Sequence, residues 1–178
     1  HDQGVAAAIL LRGGVEGDDF AESLKGARAK APTRLIALDN VTNPQNVGMI
    51  VRSALAAGMS AILWPTVGAP WVSGLVIKSS AATVYTLPIV RCGLLVEGLW
   101  TLKKHGFTLV GLAAEGPASL FDHTPAHRAC YIVGSETTGI SPEVDELLDE
   151  RLSIPMRNNV ESLNAAVAAS LVCFHVTK

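Results

Sequence analysis

The sequence is poor in charged residues and in aromatic residues. Charged residues make up 17% of the 178 residues and aromatic residues 5%, whereas hydrophobic residues make up 49%. This composition excludes a disordered chain and favours a domain with a packed core. The formal net charge is −2, which excludes a basic surface over the whole molecule. A nucleic-acid partner would therefore have to be held by a local patch.

Long hydrophobic runs and paired cysteines are also missing. The longest largely apolar run, residues 165–174, has about ten residues, whereas a membrane-spanning helix needs roughly 20. Since the chain begins at His1 without a basic-then-apolar leader, we expect no signal peptide and a chain cut from a longer protein. Cys92, Cys130 and Cys173 form no C-x-x-C spacing. We therefore expect no disulfide framework, and a reducing, cytoplasmic location.

Several common catalytic signatures are absent as well. No G-x-G-x-x-G follows a strand and there is no P-loop, which disfavours NAD and ATP chemistry. Ser135 lacks the G-x-S-x-G context of a hydrolase nucleophile. His123 and His127 have a spacing known from metal sites, but Pro125 lies between them and no cysteine accompanies them. Structural zinc needs four ligands, so we predict no metal site.

From residue 34 onward, apolar strand-like runs alternate with helical patterns. Strands are predicted over residues 34–40, 60–66, 84–90, 107–114, 129–136 and 151–156. Near-continuous apolar strands between helices indicate an α/β domain with a mostly parallel sheet that is buried on both faces.

Helices are predicted over residues 42–59, over 93–105 and over roughly 162–175. In the first of these, Asn43 can serve as N-cap, Pro44 fits the first helical position, and Gly58 can end the helix. Residues 11–33 are rich in glycine and charge and are interpreted as a linker.

Three junctions between a strand and a helix are unusually polar: residues 38–52, 132–144 and 154–168. In this fold class, ligands collect at the carboxyl ends of strands. Taken singly, each junction is equally consistent with turn and helix-capping chemistry.

Together the junctions carry an ordered series of motifs. They are Asn46-x-Gly48-x-x-x-Arg52, Gly134-x-Glu136-x-x-Gly139, and Ile154-Pro155-Met156 followed by Ser162-Leu163-Asn164. The series resembles the three signature motifs of the SpoU-type (TrmH-like) RNA ribose 2′-O-methyltransferases of the SPOUT superfamily, over about residues 35–174. The first residues, HDQGVAA, resemble the segment after a small RNA-binding domain in members that modify ribosomal RNA.

The resemblance implies a parallel α/β sheet with a C-terminal deep trefoil knot that binds S-adenosylmethionine. It further implies a homodimer with an RNA substrate, for which we favour rRNA over tRNA. Residues 1–33 would be the remnant after a missing RNA-binding domain and 34–178 the catalytic domain. A catalytically silent knotted module, which binds RNA or another subunit, and a Rossmann-type oxidoreductase are the alternative interpretations. The retained motif residues argue against the first, and the missing glycine fingerprint against the second.

The resemblance also implies roles for single residues. Gly134, Ile154 and Leu163 match cofactor contacts, and Met156 lies beside them. The residues that match catalytic and substrate-binding positions are Asn46, Arg52, Glu136, Ser162 and Asn164. Arg52 is a candidate general base, but a guanidinium normally stays protonated, so a phosphate or ribose clamp fits its chemistry as well. Glu136, Ser162 and Asn164 would then fix Arg52 and the ribose by hydrogen bonds.

The chain also departs from the family pattern and offers further candidate contacts. Asn158 stands where the family usually has glycine, and Ala165 where it has valine. Because asparagine tolerates a left-handed backbone, we expect the turn at Asn158 to be kept. Further candidates for contacts with RNA are Trp64, Trp71, Lys78, Lys103, Lys104 and Arg157.

Overall fold

The computed structural model describes residues 14–24, 31–158 and 160–178. Its strands are β1 (Val15–Glu16), β2 (Thr33–Leu38), β3 (Ala61–Pro65), β4 (Ile89–Cys92), β5 (Thr108–Leu112), β6 (Ala118–Ser119), β7 (Arg128–Val133) and β8 (Glu150–Ser153). Within the described ranges they form one sheet in the order β1-β4-β3-β2-β7-β5-β8-β6. Every pair of neighbouring strands in this sheet is parallel. The predicted parallel α/β architecture is therefore confirmed.

Helices cover both faces of the sheet. They are α1 (Gly17–Ser23), α2 (Pro44–Ala57), α3 (Gly74–Ser79), α4 (Leu95–Lys104), α5 (Pro142–Asp145) and α6 (Ala165–Val176), with short 3-10 helices at Thr83–Tyr85 and Leu120–Asp122. Because strand side chains alternate between faces, Leu35 and Ala37 of β2 pack with α1 and α4, whereas Ile36 and Leu38 pack with α2 and α6. No helix in the described part of the chain is long and apolar enough to span a membrane.

The helix predicted over residues 42–59 is confirmed in its capping. The Asn43 side chain accepts a hydrogen bond from Gln45 N at 2.9 Å, Pro44 opens the helix, and Gly58 ends it with φ 85°. Gly48, part of the first motif, lies where α2 meets α3: a Cβ there would sit 2.7 Å from the Val76 carbonyl oxygen. The glycine is thus required by helix packing.

The strand predicted over 84–90 was misplaced. The chain instead makes a turn in which Ala81 and Ala82 have positive φ, followed by the 3-10 helix Thr83–Tyr85. The strand itself, β4, begins at Ile89, directly after Pro88, which cannot donate to a strand ladder. The apolar residues of the turn were mistaken for a strand because they are buried in the core.

Two further boundaries differ from the prediction. Within the interpreted linker 11–33, residues 15–23 form β1 and α1, and Phe20 of α1 is buried in the core with α4. The last helix begins at Ala165 instead of residue 162, because Asn164 caps it. The HDQGVAA segment lies outside the described residues, and the division of the chain at residue 33 stays a prediction.

Candidate functional site

A cavity of about 520 Å³ opens at the carboxyl ends of β7, β5 and β8. Three chain segments and Asp145 of α5 line it. The segments are residues 112–114 at the end of β5, the loop from Val133 to Ile140 at the end of β7, and residues within 154–168 after β8. This is the edge of a parallel sheet at which ligands bind. The lining includes all the predicted cofactor residues, Gly134, Ile154, Met156 and Leu163, together with Glu136 and Ser162.

The loop after β7 is a closed turn that only glycine allows at its base. Ser135 N donates to Gly139 O at 3.1 Å and Gly139 N donates to Ser135 O at 3.0 Å. A Cβ on Gly134 would collide with the Gly139 carbonyl group and lie 2.5 Å from Ile140 N. Gly139 itself has φ 68°, in the left-handed region that favours glycine. The two motif glycines therefore define the shape of this cavity wall.

Beside the cavity, three side chains from three distant junctions form one hydrogen-bonded cluster. Asn46, in the first turn of α2, donates from Nδ2 to Glu136 Oε1. Asn164 donates from Nδ2 to Asn46 Oδ1 at 3.1 Å and to Glu136 Oε1 at 3.4 Å. Asn46 and Asn164, the outermost of the three, are 118 positions apart along the chain. The structure thus brings together one residue from each predicted motif.

The three residues of this cluster differ in how far they are buried. Asn46 is only 4% exposed, whereas Glu136 and Asn164 are exposed. A buried amide needs partners for both its donor and its acceptor, and Glu136 and Asn164 supply one each. The side-chain oxygen of Asn164 also accepts from Ala166 N at 2.9 Å and so caps α6. The cluster therefore fixes the start of α6 against the start of α2.

Arg52 lies outside this cluster. It follows Asn46 by six residues on α2, which places it roughly 9 Å farther along the helix axis and on a different side. Its exposed side chain borders a shallow depression shared with Met49, Ser53 and three residues of α6, Ala166, Val167 and Ser170. The hydrogen bonds that we predicted from Glu136, Ser162 and Asn164 to Arg52 are not formed among the described residues.

The turn at Asn158 is kept, as predicted. Asn158 is exposed and has φ 58°, a left-handed conformation that asparagine adopts more readily than most residues. Ala165, the second departure from the family pattern, is the buried first residue of α6 and lines the cavity.

Residues 33–174 match the sequence model of the SpoU rRNA Methylase family. The chain belongs to this family. An uncharacterized tRNA/rRNA methyltransferase of Mycobacterium avium is 34% identical over 176 residues, which is 99% of this chain and 56% of that protein. This SpoU-family chain therefore spans about half the length of the relatives that it matches.

Solved structures of related proteins have the same fold. The SpoU methyltransferase AviRb from Streptomyces viridochromogenes, solved in complex with AdoMet, superposes with a TM-score of 0.75 at 28% identity, over 83% of this chain and 58% of that one. An RNA 2′-O ribose methyltransferase superposes with a TM-score of 0.73 at 26% identity, over 85% of this chain and 58% of that one.

Sequence reasoning missed two carboxylates of this SpoU-family site. Asp39 is 3% exposed at the end of β2 and accepts from Ser141 N at 2.6 Å. Asp145 lines the cavity and is held by Arg151, whose Nε and Nη2 lie 2.8 and 2.7 Å from its two carboxylate oxygens. The hydrogen bond from Arg151 holds the pKa of Asp145 below its usual value. Asp39 stood within the first polar junction, but no local pattern pointed to the pairing of Asp145 with Arg151.

Two other candidates have structural contacts: Trp64 is part of the core of the SpoU domain, and His123 is half-buried beside it. His123 lies against Tyr131 Oη at 3.0 Å and Glu150 Oε2 at 3.3 Å, and burial lowers its pKa. Trp64 is fully buried, while Trp71, which packs on it edge to face at 5.4 Å, is 38% exposed.

The lysine candidates differ in availability. Lys103 is engaged, since its Nζ lies 2.7 Å from Asp149 and 2.8 Å from the Leu147 carbonyl oxygen. Lys78, Lys104 and Arg157 are exposed. Contacts of these residues with RNA stay a prediction.

Proposed function

We propose that this SpoU-family chain is the catalytic domain of an S-adenosylmethionine-dependent RNA methyltransferase that modifies the ribose 2′-hydroxyl. The observation that carries the proposal is the placement of the cavity lined by Gly134, Ile154, Met156 and Leu163 directly beside the Asn46–Glu136–Asn164 cluster. Glu136 belongs to both. A cofactor pocket and a polar group for the substrate would thus meet at one residue.

The residues of the cavity fit the proposed cofactor. Its volume of about 520 Å³ falls in the usual range for pockets of small molecules, roughly 300–1,000 Å³. S-adenosylmethionine carries a sulfonium and an ammonium against a single carboxylate, so its net charge is positive. The charged side chains along the described lining are all acidic: Glu136, Asp145 and Glu161. Apolar residues of the wall would pack against the adenosine, and the bound cofactor would supply an already activated methyl group.

On the substrate side, Arg52 would act as a clamp for an RNA phosphate. Its exposed guanidinium has no hydrogen-bonding or ionic partner among the described residues, and an always-charged planar donor matches a phosphate. The Asn46–Glu136–Asn164 cluster and Ser162 would orient the ribose, since methyl transfer to a hydroxyl depends on alignment and on handling of developing negative charge. A direct role of Arg52 as general base is the alternative.

We also propose a homodimer, a C-terminal trefoil knot and a cytoplasmic location. An exposed apolar strip along α6, with Val167 and Phe174 at 48% and 52% exposure, continues to Met49 of α2 and supports the homodimer. The knot is proposed from the resemblance to the family motifs. Buried free cysteines, Cys92, Cys130 and Cys173, fit a reducing compartment. We favour rRNA over tRNA as the substrate.

Calorimetry with S-adenosylmethionine tests the cofactor, and methyl incorporation into total RNA tests the activity. We expect the wild-type protein to bind S-adenosylmethionine, and Arg52→Ala to lose most of the methyl incorporation. Arg52→Lys should recover it only in part, because lysine keeps the charge but lacks the planar set of N–H donors of a guanidinium. Asp19→Ala, at an exposed position of α1 on the opposite face of the sheet, is the control. Resistance of the product to alkaline hydrolysis identifies a 2′-O-methyl group.

Three results would count against the proposal. Absence of S-adenosylmethionine binding at high micromolar concentration would remove the cofactor. Equal incorporation by wild type and Arg52→Ala would remove Arg52 from the site. Binding of cofactor and RNA without any incorporation would favour the silent module.

A further inference from the structure

We propose that Asp39 is a positioning residue that holds the loop after β7 in the shape needed for cofactor binding, an inference that rests on the proposed methyltransferase function. Asp39 is 3% exposed and follows the last residue of β2. Its Oδ2 accepts from Ser141 N at 2.6 Å and its Oδ1 accepts from Asn40 Nδ2 at 3.0 Å. A carboxylate is costly to bury, so these charge-assisted hydrogen bonds define its position.

Ser141 is the far end of the loop that forms one wall of the cavity. The loop leaves β7 at Gly134, and at its other end Ser141 O accepts from Asp145 N at 2.9 Å, which begins α5. Asp145 lines the same cavity. The bond from Ser141 to Asp39 therefore fixes both the end of the loop and the residue that borders the cavity beyond it.

Asp39 also lies at the start of the segment that leads to the polar cluster. The chain continues from β2 through Asn43, the cap of α2, to Asn46, which donates to Glu136 in the middle of the loop. Besides the backbone hydrogen bond from Asp39 N to Val133 O at 2.9 Å, two side chains tie the loop to the β2–α2 junction, Asp39 at Ser141 and Asn46 at Glu136. Glu136 is held by Asn164 as well, so loss of the bond to Asp39 would free Ser141, the far end of the loop, and the cavity wall that leads to it from Glu136.

Asp149 provides a matched control elsewhere in the same sheet. Its Oδ2 accepts from Leu109 N at 2.8 Å, so it too is a carboxylate that holds a backbone N–H group. It lies at the amino ends of β5 and β8, opposite the edge where the cavity opens. Asp149→Asn should therefore affect folding stability alone, whereas Asp39→Asn should affect cofactor binding.

The experiment compares wild type, Asp39→Asn and Asp149→Asn by calorimetry with S-adenosylmethionine, at a temperature where circular dichroism shows each protein folded. We expect the Kd to rise at least about tenfold in Asp39→Asn, because one charge-assisted bond holds the loop, and to stay within about twofold in Asp149→Asn. Amide hydrogen exchange at Ser141 should accelerate in Asp39→Asn only. Binding by the wild type with an unchanged Kd in Asp39→Asn would overturn the inference and leave the proposed function intact.

Asn40→Gly keeps the inference testable should Asp39→Asn fail to fold. Asn40 is exposed and has φ 53°, which glycine adopts without strain, so the substitution removes only the donor to Asp39 Oδ1. We expect a smaller rise in the Kd, about two- to fivefold. An unchanged Kd in Asn40→Gly, or an equal rise in Asp39→Asn and Asp149→Asn, contradicts a positioning role. Absence of binding by the wild type would instead refute the cofactor proposal itself.

Discussion

Replacing Asn164 by alanine removes two different sets of hydrogen bonds at once. The side-chain oxygen caps α6 by accepting from Ala166 N at 2.9 Å and from Val167 N at 3.4 Å. The side-chain amide donates to Asn46 Oδ1 at 3.1 Å and to Glu136 at 3.4 Å. The first set is expected to stabilise the helix, and the second to hold the candidate site together.

The expected loss of stability follows from these contacts. Loss of an N-cap costs about 1 kcal/mol. Asn46 is 4% exposed, so leaving its oxygen without this donor costs a further ~2 kcal/mol. The free energy of unfolding should therefore fall by about 3 kcal/mol in Asn164→Ala, which for a domain of this size lowers the Tm by about 6–12 °C.

Two other substitutions separate the cap from the cluster. Asn164→Ser keeps a good capping oxygen and loses the amide donor, so its Tm should fall by only about 4–8 °C. Asn164→Asp also keeps the cap but places a second carboxylate next to Glu136, which should disturb the cluster further. Thermal unfolding followed by circular dichroism measures stability, and methyl incorporation measures activity. All three variants should lose most of the activity.

The reasoning would be refuted by either of two results. If Asn164→Ala melted within about 1 °C of wild type, the side chain would contribute neither a cap nor a partner for Asn46. If Asn164→Ser retained full methyl incorporation, the amide donor would have no part in the site.

Two further predictions follow from the site and from the core behind it. Gly134→Ala should weaken S-adenosylmethionine binding at least about tenfold, because its Cβ would collide with Gly139 and open the turn. The control Gly74→Ala should bind normally, since nothing lies within 4 Å of the added Cβ. Equal affinities of the two variants in calorimetry would contradict this prediction. His123 should make the protein less stable in mild acid, since burial lowers its pKa from 6.5 in spite of the opposing effect of Glu150. As the pH falls below 6.5, His123 takes up a proton in the unfolded chain but stays neutral in the folded protein. The contribution of His123 to the free energy of unfolding is therefore complete above pH 6.5 and is lost as the pH falls further. Urea unfolding at pH 7.5 and 5.5 should show a smaller difference in His123→Gln than in wild type, and equal differences would exclude His123 as the cause.

Local signals in the sequence were sufficient where structure is decided by neighbouring residues. The cap of α2 at Asn43 and its end at Gly58 follow from short-range backbone chemistry, and both are as predicted. The left-handed turn at Asn158 was expected from the glycine that the family has there, and asparagine keeps it because it tolerates that conformation. Strand β4 was misplaced because burial, which depends on the whole fold, made the turn before it resemble a strand in sequence.

The family resemblance identified the site residues, but the sequence did not predict which of them contact each other, because they lie far apart along the chain. Nothing local to Asn46 indicates that its partners are Glu136 and Asn164, which lie 90 and 118 residues away. The pairing arises because the sheet places the ends of β2, β7 and β8 at one edge. Side chains that follow those strands are then brought into contact, whatever their separation in sequence.

The sequence by itself determined the architecture, which follows from composition and periodicity. It also determined the family and the motif residues, which follow from the resemblance of an ordered series of motifs. Only the tertiary structure decided that Asn46 is buried between Glu136 and Asn164, that Arg52 stands apart on α2, and that Asp39 ties the cavity loop to β2. Such relations depend on the order of strands in the sheet. Parallel strands are joined through helices, so residues far apart in sequence become neighbours at the strand ends.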